Sequence, residues 1–204
     1  MNTLRGLFRG LEALYGVDSG VDAVDFIGPY EADPGAGREL PLIPEHDDGL
    51  QIGLCLDEAT LARLEARPPL QVLADAALPD ALPVIEGLSH LLYVLEAARR
   101  ARPVSGLELE TQAEVDKLAL CLLARWRSPA SAFSGLVDRL FGQFTLLPGM
   151  SRELRERYET ANRIALAFVR TLERHIQRGR WTRLRRALRD FWSAGMDDKL
   201  HLAA

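Results

Sequence analysis

Along most of this chain apolar residues recur every three or four positions, the spacing that puts them on one face of an α-helix. Leu4, Leu7, Phe8, Leu11, Leu14 and Tyr15 open the series. They predict an amphipathic helix packed on the domain, since Arg5 and Arg9 alone are too few for a membrane-surface anchor. Leu82 to Arg100 repeats the spacing through Ile85, Leu88, Leu91, Leu92, Leu95 and Ala98, and Pro103 closes it. Ser105 and Glu108 form a capping box at the head of a helix expected to reach about Trp126. A shorter helix is expected around Phe133 to Phe144. Ser151 caps a long one with Tyr158, Ala161, Ala165, Phe168, Leu172 and Ile176 on one face, and Gly179 separates it from a last amphipathic segment, Trp181 to Trp192.

Two stretches near the N-terminus alternate instead. Val21 to Ile27 reads as a short strand ended by Gly28 and Pro29. Leu50, Ile52, Leu54 and Leu56 alternate strictly after the turn residues His46, Asp47, Asp48 and Gly49, and an apolar run over 39–45 precedes that turn. This is hairpin chemistry, with Pro41 and Pro44 making the first strand an edge. Asp57 can cap a helix from Glu58 to Ala66, which Pro68 and Pro69 stop. The expected class is therefore α+β and predominantly helical, a small N-terminal antiparallel β-hairpin element packed on a C-terminal helical bundle. A single domain over 1–204 is expected, with an α/β part to about residue 66 and a helical part from about residue 70.

Composition narrows the class further. With 204 residues, 48% of them apolar, the chain can bury a core without metal or disulfide staples. Cys55 and Cys121 belong to no CxxC pair, so a reducing, cytoplasmic compartment is expected. No run approaches about 18 uninterrupted apolar residues, so no transmembrane segment is expected.

Charge is distributed unevenly. Residues 1–120 hold 21 Asp/Glu against 9 Lys/Arg, a net of −12, whereas residues 121–204 hold 8 against 16, a net of +8. Arg178, Arg180, Arg183, Arg185, Arg186 and Arg189 crowd the end of the chain, and on its last amphipathic segment the arginines lie largely off the face made by Trp181, Leu184, Leu188 and Phe191. Such a basic helix can neutralise phosphates, meet an acidic protein or a membrane surface, or it can simply be solvated or pair with the acidic half of its own fold. Only Lys117 and Lys199 are lysine, a bias that a GC-rich genome produces without selection for binding. The general run of the chain has a bacterial look, and no motif attaches it to a family.

Other constellations point elsewhere. Glu86, His90 and Tyr93 share one helix face, and Glu110 and Glu114 share a face of the next, so two antiparallel helices could join Glu86, His90, Glu110 and Glu114 into a metal or proton-transfer site. Satisfied or solvated polar residues are the simpler account. Glu108, Glu110, Glu114 and Asp116 either complement a helix dipole, the preferred account, or form an acidic patch for a basic partner or a second copy of the chain. His46 sits in the predicted turn, and His175 and His201 stand alone. Gly-x-Ser-x-Gly, Gly-x-Gly-x-x-Gly and phosphate-loop patterns are all missing. The expectation is a non-catalytic interaction or accessory protein without a cofactor, which binds a protein partner or itself through the arginine-rich helix. Nucleic-acid binding through the same surface, and a helical metal-binding protein or enzyme built on the Glu/His set, are the alternatives.

Overall fold

Local chemistry sets most helix ends in the computed structural model, which describes residues 1–28, 54–55, 58–74, 77–125, 127–144, 146 and 149–204. α1 (Asn2–Tyr15) stops at Gly16, whose φ of 69° lets its N–H return to the Glu12 carbonyl. α2 (Glu58–Glu65) ends ahead of Pro68, and the single turn of α3 (Pro69–Val72) follows. α4 (Leu78–Arg99) begins at Leu78 and not at Leu82, because Pro79 falls in the first turn, where a missing N–H costs nothing. Ser105 opens α5 (Gly106–Ala124) by accepting the Glu108 N–H at 3.2 Å. α6 (Pro129–Val137) runs into a π-helical turn over 138–142. α7 (Arg152–Gln177) is capped by Ser151, and α8 (Trp181–Ser193) and α9 (Met196–Ala203) complete the chain. The apolar spacing did not announce α9.

The expected α+β class needs correction, because the described residues form a helical bundle. The predicted strand over 21–27 is largely a 3-10 turn, Ala23–Phe26, since the Asp22 carboxylate accepts the Val24 N–H at 3.1 Å and offers the backbone a local alternative to a ladder. The only extended pairing among the described residues is two residues long and parallel, with Ile27–Gly28 beside Leu54–Cys55. Among the described residues there is thus no antiparallel hairpin. The first predicted hairpin strand, its turn with His46, and all of the second strand except Leu54 and Cys55 lie outside the described residues.

α5 is the axis of the bundle, with α1, α4, α6 and α7 packed around it. That position explains its composition, since every residue from Glu108 to Leu122 is buried. α4 is long and apolar enough to cross a membrane by length and composition alone, and 67% of its most apolar window is buried among its neighbours. α8 crosses α1 and α7, and α9 rests on α7 and α8. One apolar cluster runs from Leu4 of α1 to Trp192 of α8, each buried leucine contributing about 1.5–3 kcal/mol. Tyr15 stacks on Trp192 with ring centroids 4.1 Å apart, and Tyr93 meets the same indole edge-on at 4.7 Å.

Candidate functional site

The turn between α7 and α8 carries the basic residues. Gly179, at φ 60°, reverses the chain there, and Arg178, Arg180, Arg183, Arg185 and Arg186 are all exposed. Arg178, Arg180, Arg183 and Arg185 make no ion pair among the described residues, and Arg186 only approaches Asp190 on its own helix at 3.8 Å. His175, one turn back on α7, registers this charge: desolvation and the nearby Arg174, Arg183, Arg180 and Arg178 hold its pKa below the ordinary histidine value. Arg189 does not share this surface. Its Nε donates to the Leu14 carbonyl at 3.0 Å, and its guanidinium covers Gly16 at the end of α1.

Beside Arg185 lies an apolar groove of about 250 Å³ between α8, the ends of α5 and α7, and Leu14 of α1. Leu122, Ile176, Leu184 and Leu188 form its floor and walls together with Trp181 and Leu123, which are 48% and 47% exposed. Arg185 is the one charged side chain in the lining. Helical spacing assigned Trp181 to the same apolar face as Leu184 and Leu188. It could not reveal that about half of the Trp181 side chain stays exposed, because that depends on how the helices pack.

The Glu/His set is brought together. α4 and α5 run antiparallel, so the stripe Glu86, His90, Tyr93 meets Lys117, Glu110 and Glu108 in reverse order. Lys117 Nζ lies 2.7 Å from Glu114 Oε1 and 3.1 Å from Glu86 Oε2, and the Tyr158 hydroxyl donates to Glu86 at 3.3 Å. Burial works against a charged Lys117, but the two carboxylates hold its pKa above the ordinary lysine value. Desolvation would raise Glu86, yet Lys117 and His90 bring it below the usual carboxylate range. For Glu114, burial prevails over Lys117 and its pKa is raised. His90 Nε2 stands 3.5 Å from Glu110 Oε2; this carboxylate outweighs desolvation and raises the histidine pKa.

The ammonium of Lys117 thus sits between Glu86 and Glu114, where a cation would otherwise be needed. Among the described residues no group of three or more His, Cys, Asp or Glu side chains is arranged to hold a metal ion. Glu86, Glu114, Lys117 and Tyr158 border a cleft of about 320 Å³ that Arg139, Gln143 and Met150 help to line.

A further network escaped sequence reasoning. Lys199 of α9 is fully buried and donates to Gln112 Oε1 at 2.7 Å and to the Phe191 carbonyl at 2.5 Å. Gln112 Nε2 in turn donates to Asp116 Oδ1 at 2.9 Å and to the Tyr15 hydroxyl at 3.2 Å; Asp116 also accepts from Tyr15 and, at 2.6 Å, from Ser89. Glu108 accepts from Tyr93 and Arg102. The four acidic residues of α5 therefore point inward, so they do not form the acidic docking patch that their density in sequence could also suggest. The only sign of Lys199 in the sequence is its rarity as one of two lysines, which says nothing of burial. Comparison of the chain with protein-family models, with curated proteins and with solved structures finds no match to it.

Proposed function

We propose that this chain is a non-catalytic interaction protein that binds an acidic partner through the arginine-rich α7–α8 end. The observation that carries this reading is that Arg178, Arg180, Arg183 and Arg185 are exposed and have no ion pair among the described residues. Guanidinium groups left without carboxylates create a field that attracts an acidic surface and hastens its approach. Among the described residues the buried carboxylates of the acidic half are paired elsewhere, Glu108 with Arg102 and Glu86 and Glu114 with Lys117. Self-association through α5 finds no support, because the α5 carboxylates are buried. A reducing, cytoplasmic setting belongs to the same reading, because the sequence holds two cysteines and no CxxC pair.

Fluorescence anisotropy with a labelled glutamate-rich polypeptide and with labelled single- and double-stranded RNA and DNA tests it, using wild type and Arg183/Arg185/Arg186→Glu. Polypeptide binding that the charge reversal abolishes supports the proposal. Binding that survives the reversal removes the surface, and preference for nucleic acid with a steep salt dependence moves the protein to the nucleic-acid alternative. A second reading, metal or proton-transfer chemistry at Glu86, His90, Glu110 and Glu114, has in its favour the cleft that Glu86 and Glu114 border, and against it the Lys117 ammonium that already pairs with both carboxylates. Stoichiometric metal in the purified protein that disappears in His90→Ala would place the function there.

A further inference from the structure

We infer that the apolar groove beside the arginines receives the apolar face of an acidic amphipathic helix from a partner protein. This rests on the basic end being the partner surface, and it adds what the partner must present. Trp181 and Leu123 leave about half their surface in water inside a groove whose other walls, Arg185 apart, are leucine, isoleucine, alanine and proline. Arg185 belongs to the lining, and Arg178, Arg180 and Arg183 lie close to it in sequence on the same turn and helix, without ion pairs among the described residues. Exposed tryptophan and arginine around an apolar cleft are the residue types that carry binding energy at protein interfaces.

Charge and apolarity together select the occupant. A polynucleotide would use the guanidinium groups and leave the leucine lining wet. A fatty acid would fill the groove, but its one carboxylate would engage Arg185 and leave the remaining arginines unanswered. A helix with leucines at i, i+3, i+4 and i+7 and glutamates beside them matches both features at once.

The test uses the full chain and two labelled helical peptides with the same glutamates, one with leucines at those four positions and one with alanines. The leucine peptide is expected to bind about ten-fold more tightly. Trp181→Ala or Leu123→Ala should remove that advantage, and Arg183/Arg185/Arg186→Glu should weaken both peptides. Because both apolar side chains are half exposed, these variants are expected to keep the wild-type circular dichroism spectrum. A blue shift of the tryptophan emission on adding the leucine peptide, lost in Trp181→Phe, provides an independent readout. Equal binding of the two peptides overturns the groove and leaves the basic surface standing. Binding of neither overturns both, and saturation by oleate with no peptide binding overturns the helical occupant.

Discussion

The ammonium of Lys199 on α9 lies 2.7 Å from the side-chain carbonyl of Gln112 on α5, out of contact with solvent. By taking that carbonyl, Lys199 turns the Gln112 amide toward Tyr15 and Asp116, so the last helix orders a network reaching α1 and α4. The same ammonium stands 4.2 Å from the Phe191 ring centroid, a favourable cation–π placement.

Stability should depend on pH through this pair. Burial pushes Lys199 down to about 7 from 10.5, against the pull of Glu108 and Asp116. Between those values the unfolded chain binds more protons, so stability rises with pH from 7 to 10.5 and is lost as pH falls toward 7, at about 1.4 kcal/mol per unit. Burial also pushes Asp116 up to about 6 from 3.8, with the opposite sign: its contribution is present below 3.8 and lost as pH rises through 6. Thermal unfolding of wild type between pH 7 and 10 should show Tm rising, and Lys199→Met should flatten that rise. Parallel profiles for the two proteins would contradict the assignment.

Removing Lys117 should be costly. Lys117→Met leaves Glu86 and Glu114 facing each other without a cation, a loss of about 3–5 kcal/mol in urea unfolding. Adding Glu86→Gln and Glu114→Gln to the same chain should recover much of it. A loss below about 1 kcal/mol for the single variant would show that the two carboxylates do not need the ammonium.

Gly16 and Arg189 should behave as a coupled pair. A Cβ at Gly16 would stand 2.7 Å from an Arg189 nitrogen on backbone at φ 69°, so Gly16→Ala should lose about 1–2 kcal/mol. In Arg189→Ala the steric part of that loss disappears, so the double mutant should lose less than the sum of the two. Strict additivity in a denaturation cycle would separate them.

Ala101 offers the reverse case. It follows α4 at φ 48°, a left-handed conformation that an L side chain resists. Ala101→Gly should therefore raise stability, by up to about 1 kcal/mol, with Arg102 still placed against Glu108. An unchanged or lower denaturation midpoint would mean that the added freedom of the unfolded chain outweighs the strain.

The exposed arginines should prove structurally dispensable. Arg183/Arg185/Arg186→Glu is expected to alter unfolding free energy by less than about 1 kcal/mol, since all three are exposed and their one ion pair among the described residues is the surface contact of Arg186 with Asp190 at 3.8 Å. A large loss would mean that the positive charge serves the fold.

Helix positions were legible where local chemistry decides them. Ser105 and Ser151 cap their helices, although the Glu108 carboxylate accepts from Tyr93 and Arg102 and does not complete the predicted box, and the apolar period of 3.6 located α1, α5, α7 and α8 to within a few residues. The strand over 21–27 failed because alternation over so few residues is also compatible with a 3-10 turn, and the Asp22 side chain tips the balance. Pro79 and Pro83 concealed the start of α4, because a proline's meaning depends on its place in the helix. The candidate arginines were visible as a cluster, but Arg189 could not be told from the others until α1 was laid against α8.

The sequence alone determined a predominantly helical chain, the split of charge between its halves, the arginine-rich last helices and the shared face of Glu86 and His90, because all of these follow from composition and helical period. Tertiary structure alone decided which charges are spent inside the fold. Whether a carboxylate or guanidinium finds a partner depends on residues distant in sequence meeting across helices, as Glu86 meets Lys117 and Lys199 meets Gln112. Local spacing carries no information about such meetings, and they leave Arg178, Arg180, Arg183 and Arg185 exposed, with Arg185 at the edge of an apolar groove.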